Sequence, residues 1–205
     1  MNGLSGTKEH IFDAFVQMTS ELGYENVAMR DVADKVGIQV ASIYNHFSSK
    51  QKLLEYAYDY FEKYRYENRT PSEEMNRLIE TASAEKIVYS FMFTYESENQ
   101  LHYIRMVLIV KIIHMRMFQD KIANRLFLDQ YTNNTPYVVD VLKHGIAVGR
   151  VHQSFDVATF AEILIGAMIS MGIKSFAGAA YDIGQLDQEN YILALLARLL
   201  STALI

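Results

Sequence analysis

The sequence contains no cysteine among its 205 residues. This absence excludes disulfide bonds, thiol nucleophiles and zinc sites built on cysteine. A chain of this length buries roughly 70 % of its unfolded surface, so its core needs neither a disulfide nor a metal to hold it. The composition fits a reducing compartment, and we expect a cytoplasmic location.

Proline and glycine are scarce, with 2 and 10 copies respectively. A β-sandwich or β-barrel needs a turn about every ten residues, and this sequence lacks the turn residues for one. Half of the residues are apolar, and many recur at spacings of three and four, which is typical of amphipathic helices. The sequence therefore predicts an all-α protein of about nine to ten helices.

Long apolar runs and a basic leader are also missing. The longest uncharged apolar stretch covers residues 163–173, well short of the roughly 20 residues that span a bilayer. The first ten residues hold a single lysine with no apolar segment behind it, so a secretory signal peptide is not expected. We expect a soluble protein without a membrane partner.

Two Thr-Pro pairs mark predicted helix starts, because threonine is a good N-cap and proline is tolerated at the first helical position. Thr70-Pro71 predicts the boundary between two domains. The predicted N-terminal domain covers residues 1–50 and is followed by a connecting helix over 50–67. The predicted C-terminal domain covers residues 71–205. Thr135-Pro136 predicts a restart or kink between helices over 119–131 and 136–148. The other predicted helices cover residues 7–22, 29–36, 40–47, 72–82, 84–97, 101–115, 156–178 and 187–204.

The stretch over residues 27–54 contains the pattern that carries function. Its two short helices are joined by a tight turn at Gly37, which is typical of a helix-turn-helix whose second helix enters the major groove of DNA. Although the chain has a net charge of −5, residues 35–54 contain lysines and no carboxylate, which suits a phosphate backbone. On spacing and charge alone, a helical hairpin with solvated lysines stays open as an alternative.

The residue identities in this stretch resemble the TetR family of bacterial transcription regulators. The family has an acid, an aliphatic residue and an alanine in the first helix, and a glycine in the turn. An aliphatic-Tyr-x-His-Phe run, a Ser-Lys pair and a Leu-Leu pair follow. The matching residues are Asp31-Val32-Ala33, Gly37, Ile43-Tyr44-Asn45-His46-Phe47, Ser49-Lys50 and Leu53-Leu54. The resemblance implies an N-terminal three-helix domain with the helix-turn-helix and a C-terminal helical domain for ligand binding and dimerisation.

The resemblance also implies DNA-binding roles at matching positions. Tyr44, His46 and Lys50 resemble residues that clamp the phosphate backbone, with Ser42 as a further hydroxyl donor. The positions that approach base edges are Gln39, Val40, Ala41 and Asn45. Glutamine and asparagine bond adenine in a bidentate manner, while valine and alanine touch only a thymine methyl. The hypothesis is therefore an A/T-leaning half-site.

Helix caps in the predicted helix-turn-helix depart from the family pattern. Ala28 stands where a threonine usually caps the first of the two helices, and loss of that side-chain cap costs about 1 kcal/mol. Gln39 replaces the small hydroxyl residue that usually caps the second. Further along, Ser48 and Gln51 predict a capping box that opens the connecting helix.

The C-terminal part is rich in methionine and aromatic residues, which suit an adaptable apolar pocket. The resemblance implies a ligand cavity among the middle helices for a small apolar or aromatic compound. The candidate lining residues are Tyr89, Met92, Phe93, Tyr103, Met106, Phe127, Tyr131 and Met168. The alternative is that these side chains fill an ordinary core.

The last two predicted helices carry apolar stripes wider than one core requires. In the resembled family this pair forms a four-helix dimer interface, so we predict a two-fold homodimer. The candidate interface residues are Phe160, Leu164, Met168, Met171, Ile192, Leu195, Leu196 and Leu199. In the connecting helix, Tyr56, Tyr60 and Tyr64 lie along one face and are candidates for a lever between the domains.

Catalytic motifs are lacking, since the sequence has no glycine-rich phosphate loop, nucleophile elbow or close histidine pair. We predict that the chain is not an enzyme and uses neither metal nor cofactor. The favoured function is a repressor that binds a palindromic double-stranded DNA operator as a homodimer and is released by a small-molecule ligand. Two alternatives stay open. One is a DNA-binding regulator controlled by a protein partner without a small-molecule cavity, and the other is a helical small-molecule carrier or enzyme whose helix-turn-helix is vestigial.

Overall fold

The protein is described here in a computed structural model, which covers the backbone of residues 3–65, 72–92, 100–181 and 186–205. Within those ranges, side chains are described except at residues 3–5, 72, 92, 131, 174–181 and 186–190. The end of the helix predicted over 84–97 and part of the domain boundary near Thr70-Pro71 therefore lie outside the described residues.

The described part of the chain is all-α, as the sequence predicts. It contains no β-strand, and its only β contact is an isolated bridge between Val151 and Leu204. The helices are α1 (Gly3–Leu22), α2 (Met29–Val36), α3 (Val40–Tyr44), α4 (Lys50–Tyr64), α5 (Ser72–Thr81), α6 (Ala84–Met92), α7 (Gln100–Arg116), α8 (Lys121–Ala147), α9 (Val157–Tyr181) and α10 (Leu186–Ser201). None of the helices, over its described residues, is long and apolar enough to cross a membrane.

The chain divides into two compact units. The first comprises Met1–Glu67 and Ser97–Phe127, and the second comprises Asn68–Glu96 and Leu128–Ile205. The break after residue 67 falls close to the predicted boundary, but α7 belongs to the first unit rather than to a separate C-terminal domain. A local pattern does not reveal this grouping, because it depends on contacts between residues far apart in sequence. The predicted domain ranges stay a prediction.

The core of the first unit forms between α1, α2, α4 and α7. The apolar stripe of α1 places Ile11, Phe12 and Phe15 on one face, as the spacing of three and four dictates, and all three are fully buried. The inner faces of α4 and α7 supply further buried side chains, Leu53, Leu54, Ala57, Tyr58, Phe61, Met106, Ile109, Ile112 and Ile113. These helices form the base on which the short helix pair α2–α3 rests.

The predicted pair of helices over 119–131 and 136–148 is a single helix, α8. Pro136 lies inside it and on the exposed side, so the predicted restart there is wrong. A proline removes one backbone donor and clashes with the preceding turn. A helix of 27 residues retains enough of its other hydrogen bonds to continue through that single loss.

The second unit is held together by the contact between α6 and α10 and by a short return of the chain after α8. Arg150 donates to the Ile205 backbone oxygen at 2.6 Å and to the Ala82 carbonyl at 3.2 Å. The Ile205 amide in turn donates to the Arg150 carbonyl at 3.0 Å. This arginine therefore joins three segments that are distant in sequence.

Gly145 lies at a close approach between packed segments of the second unit. A Cβ atom at this position would lie 2.7 Å from Val151 Cγ2 and 2.9 Å from Ile79 Cγ1. Both neighbours are buried and β-branched, so neither side chain can move aside easily.

We expect Gly145→Ala to lower the free energy of unfolding by about 1–3 kcal/mol, the usual cost of an overpacked core. Urea denaturation followed by circular dichroism measures this change. Gly6→Ala is the matched control, because a Cβ at this helical glycine meets no atom within 4 Å, and alanine favours the helix. A Gly145→Ala variant as stable as the parent protein would refute the tight contact.

Candidate nucleic-acid interface

Helices α2 and α3 form the predicted helix-turn-helix. The inner face of α2 buries Met29, Val32 and Ala33. The helix ends at Gly37, whose φ of 76° lies in the left-handed region that suits glycine. The Ile38 amide donates to the Ala33 carbonyl at 3.0 Å and closes the turn. This compact stop leaves only three residues between the end of α2 and the start of α3.

Helix α3 is shorter than the predicted segment over 40–47. Its regular part ends at Tyr44, but backbone hydrogen bonds continue the turn, since the Phe47 amide donates to the Ile43 carbonyl at 2.9 Å. Ile43 and Phe47 are buried and anchor the segment to the core. The short helix thus gains its order from packing rather than from its own length, because isolated helices of this size are unstable in water.

The predicted DNA-contacting side chains lie on the outer side of α3 and of the turns beside it. Four of them are exposed: Gln39, Ala41, Tyr44 and Asn45. The other four are half-buried: Val40, Ser42, His46 and Lys50. Since the two remaining positions of the segment, Ile43 and Phe47, face inward, the structure brings the predicted base-reading and phosphate-binding residues onto one surface. We call these eight residues the reading surface.

The helix caps explain how the reading surface is supported. At α2, Asp31 Oδ2 accepts from the Ala28 amide at 2.8 Å, but alanine has no side-chain oxygen to return the bond. At α3, the Gln39 side chain makes no capping bond. The predicted Ser48–Gln51 box at α4 is wrong by one residue, since Ser49 is the cap and its Oγ accepts from the Lys52 amide at 3.1 Å.

Lys50 is held by Tyr24, an interaction that the sequence did not predict. The Lys50 ammonium donates to the Tyr24 carbonyl at 2.9 Å and stands 4.1 Å from the centroid of the Tyr24 ring. The Tyr24 hydroxyl donates to Gln51 Oε1 at 3.2 Å. An aromatic residue directly after the glycine that ends α1 is the only sequence signal that could have pointed to this contact.

Arg116, at the end of α7, approaches the same ring. Its guanidinium carbon lies 4.1 Å from the Tyr24 centroid. Arg116 also pairs with Glu25 at 3.0 Å and with Asp120 at 3.5 Å. Asp120 accepts a hydrogen bond from the Tyr58 hydroxyl at 3.2 Å. Burial, followed by the nearby Asp120 charge, raises the pKa of Tyr58 well above its usual value, so this hydroxyl stays a donor at any physiological pH.

Arg105 forms a second charged cluster in the first unit. Its guanidinium bonds both carboxylate oxygens of Asp13, at 2.6 and 3.0 Å, and one of Glu9 at 2.7 Å. Tyr60 shares its hydroxyl with His102 Nδ1 at 2.7 Å, and its ring packs beside Tyr64 at 4.7 Å. These bonds join α1, α4 and α7.

The predicted lever tyrosines pack inside the first unit. Tyr56 and Tyr60 contact the buried ring of Phe12 on α1, with centroids 5.1 and 5.3 Å apart. Tyr60 and Tyr64 contact His102 on α7. Their face on α4 is therefore bound to α1 and α7, and the lever role stays a prediction.

The N-terminal region of the chain matches a known protein family. Residues 11–57 match the family model for the N-terminal domain of bacterial regulatory proteins of the tetR family. This range contains the whole of α2 and α3, every residue of the reading surface, and Tyr24. The resemblance to the TetR family is confirmed for this N-terminal region.

A curated relative supports the assignment. The negative transcriptional regulator IcaR of the biofilm operon icaADBC in Staphylococcus aureus is 31% identical over 103 residues. The match covers 48% of this chain and 50% of IcaR, so the chain spans about half the length of the curated relatives it matches.

Solved structures support the TetR-family fold over the full chain. A TetR transcription regulator from Haloarcula marismortui has a TM-score of 0.63 at 15% identity, covering 98% of this chain and 100% of that one. A transcriptional regulator from Saccharomonospora viridis, solved in complex with choline, has a TM-score of 0.61 at 18% identity and 94% coverage of both chains. These likenesses establish the architecture alone.

The predicted ligand-lining residues have varied environments. Met106 is buried, and Phe127 and Met168 are half-buried, whereas Tyr89 and Tyr103 are exposed. Phe93 and the side chains of Met92 and Tyr131 lie outside the described residues. Three basic residues of α7 are engaged by protein groups, since Arg105 and Arg116 pair with carboxylates and His114 Nδ1 bonds the Val110 carbonyl at 2.8 Å.

The predicted dimerisation residues divide into two groups. Four are buried within the chain: Phe160, Leu164, Met171 and Leu196. A side chain that is already buried has little area to lose on association, so these four add little to the support for an interface, and their interface role stays a prediction. Leu195 and Leu199 are 46% and 41% exposed, and Met168 and Ile192 are half-buried. Ile163 is also 46% exposed.

The vacant side-chain cap at α2 gives a stability prediction. Ala28 already has the extended backbone of an N-cap, with φ −101° and ψ 157°, so Ala28→Thr should raise the free energy of unfolding by about 1 kcal/mol. Chemical denaturation measures the gain. Ala28→Val is the matched control, since valine has the shape of threonine but no oxygen. Equal stability of the two variants would contradict the missing-cap interpretation.

Proposed function

We propose that the chain is a transcriptional regulator that binds a double-stranded DNA operator through the reading surface. The observation that carries the proposal is the reading surface itself, in which eight predicted DNA-contacting residues lie outward on a helix-turn-helix that matches the TetR-family domain. A short helix with exposed side chains suits the major groove, which is about 12 Å wide. Such a regulator acts in the cytoplasm, where bacterial DNA lies.

The charge distribution limits how the protein attracts DNA. Arg105 and Arg116 are engaged by carboxylates and contribute little free positive charge. Lys35, Lys50 and Lys52 lie in the acid-free stretch over 35–54, but Lys52 is paired with Glu55, just outside that stretch, at 2.6 Å. We infer that affinity depends on short-range contacts and on two reading surfaces acting together, since the long-range field of an acidic protein is unfavourable for DNA.

Base selection is assigned to Gln39 and Asn45, which are both exposed. We expect the purified protein to recover A/T-leaning half-sites from a random duplex pool. Asn45→Ala should weaken binding to the selected duplex by about 1–3 kcal/mol and relax the preference at one base pair of each half-site. Fluorescence anisotropy at fixed salt measures the affinity.

Asn124→Ala is the control for this variant, because Asn124 is an exposed asparagine outside the reading surface. Recovery of G/C-rich half-sites would refute the base assignment. Failure of the unaltered protein to select any sequence would refute the proposed function itself.

We propose a two-fold homodimer formed by the outer faces of α9 and α10. The support is the exposed apolar group Ile163, Leu195 and Leu199, of which Ile163 and Leu199 also line an open groove of about 550 Å³. Exposed apolar clusters of this kind favour association, since burying them removes apolar surface from water. Two reading surfaces in one dimer would reach successive major grooves if they lie about 34–36 Å apart.

We expect the double variant Leu195→Asp, Leu199→Asp to be monomeric at micromolar concentration in light scattering, while the parent protein is a dimer. Burying two carboxylates in an apolar contact is strongly unfavourable. Leu128→Asp is the control, because Leu128 is equally exposed, at 51%, but lies outside this face. A parent protein that is monomeric would contradict the proposed dimer.

We further propose that the regulator is a repressor released by a small apolar or aromatic compound. The relative IcaR is a negative regulator, and the Saccharomonospora protein is solved with choline. A ligand that binds better to a dimer with altered spacing weakens DNA binding by linkage. The test is whether compounds that raise the melting temperature of the protein also lower its affinity for the selected duplex. Control by a protein partner is favoured instead if none does.

A further inference from the structure

Tyr24 is contacted by two cations that come from different parts of the first unit. The Lys50 ammonium and the Arg116 guanidinium carbon each lie 4.1 Å from the centroid of its ring. The two charges are therefore no further apart than about twice that distance. Two like charges this close repel each other, so each must be held in place by other groups.

Arg116 is held from its own side. It pairs with Glu25 at 3.0 Å and with Asp120 at 3.5 Å, and its side chain is only 12% exposed. Asp120 is itself fixed by the hydroxyl of Tyr58. With two carboxylates beside it, Arg116 acts mainly as a fixed group that packs on the ring, rather than as a source of free charge.

The Tyr24 ring is fixed by further contacts. Phe15 meets it edge to face, with centroids 6.5 Å apart, and the Tyr24 hydroxyl bonds Gln51 on α4. An aromatic face attracts a cation through its quadrupole, and this attraction is stronger where water is partly excluded. Because the ring is fixed on several sides, the position at which it binds the Lys50 ammonium is also fixed.

Lys50 retains free hydrogen-bonding capacity in this position. An ammonium group has three donors, and the Tyr24 carbonyl accepts one of them, at 2.9 Å. Lysine is otherwise a flexible side chain that loses much rotamer entropy when it binds a phosphate. Holding the ammonium in advance reduces that loss while leaving donors for the ligand.

We propose that Tyr24 and Arg116 are positioning residues for the contact between Lys50 and a DNA phosphate. The inference rests on the proposed DNA binding, and it adds residues outside the reading surface. Arg116 belongs to α7, far from the reading surface in sequence, and acts on DNA only through the Tyr24 ring. The C-terminal end of α7 thereby contributes to the affinity of the protein for the phosphate backbone of DNA.

The test measures binding of the duplex that the parent protein selects from a random pool, over a range of salt concentrations. Arg116→Gln should weaken binding about tenfold and reduce the slope of log affinity against log salt by about 0.9, the value of one phosphate contact. Lys50→Gln should produce the same two changes. In the double variant the effects should not add, because both act on one contact.

Matched variants separate positioning from general destabilisation. Arg125→Gln also removes an arginine of the first unit that is paired with a carboxylate, Glu62 at 2.9 Å, and it should leave affinity and slope unchanged. Arg116→Lys, which keeps a cation at the ring, should restore part of the lost affinity. Tyr24→Phe keeps the ring and should bind nearly as the parent does, whereas Tyr24→Leu should match Lys50→Gln.

Three results would overturn the inference while the parent protein still binds DNA. These are an unchanged salt slope in Arg116→Gln, additive losses in the double variant, or equal binding by Tyr24→Phe and Tyr24→Leu. If Arg116→Gln does not fold, the comparison of the two Tyr24 variants decides. A parent protein that binds no duplex refutes the proposed function instead, so the two failures are distinguishable.

Discussion

The packing of α7 against α1 and α4 is the constraint on which the rest of the first unit depends. The buried side chains of α7, among them Ile109 and Ile112, form part of the core together with α1 and α4. Because this packing is apolar and close, it also brings the charged ends of α7 to fixed places. Arg105 meets Asp13 on α1, and Arg116 meets the Tyr24 ring. Charge placement in this unit is thus a consequence of hydrophobic burial.

The reading surface illustrates how a short segment becomes ordered. Helix α3 is too short to be stable alone, and its Gln39 cap makes no side-chain bond. Order comes instead from two buried side chains, Ile43 and Phe47, and from the left-handed turn at Gly37. The exposed side chains between them inherit their positions from that core. A modest defect in capping is tolerable because packing supplies most of the stability.

Much of the fold and of the site followed from local pattern. The first five helices were expected within a few residues of where they lie, and the outward set from Gln39 to Lys50 agrees with the resemblance to a known motif. Where the structure departs from the local pattern, the reason is physical. Pro136 does not interrupt α8, because a long helix continues past one missing hydrogen bond. Phe160 and Leu196 were expected at a dimer interface and are buried within the chain, because an apolar stripe in sequence does not say which of its sides the chain itself covers.

By itself, the sequence determined the all-α class, the helix-turn-helix and the residues on its outer side, since helical periodicity and a glycine stop act over a few residues. The tertiary structure decided what each of those residues touches. Contacts between segments remote in sequence place the Lys50 ammonium over the Tyr24 ring and bring Arg116 to the same ring. Such contacts also leave Leu199 exposed and Leu196 buried. Such contacts arise from how the helices pack, and no local spacing encodes them.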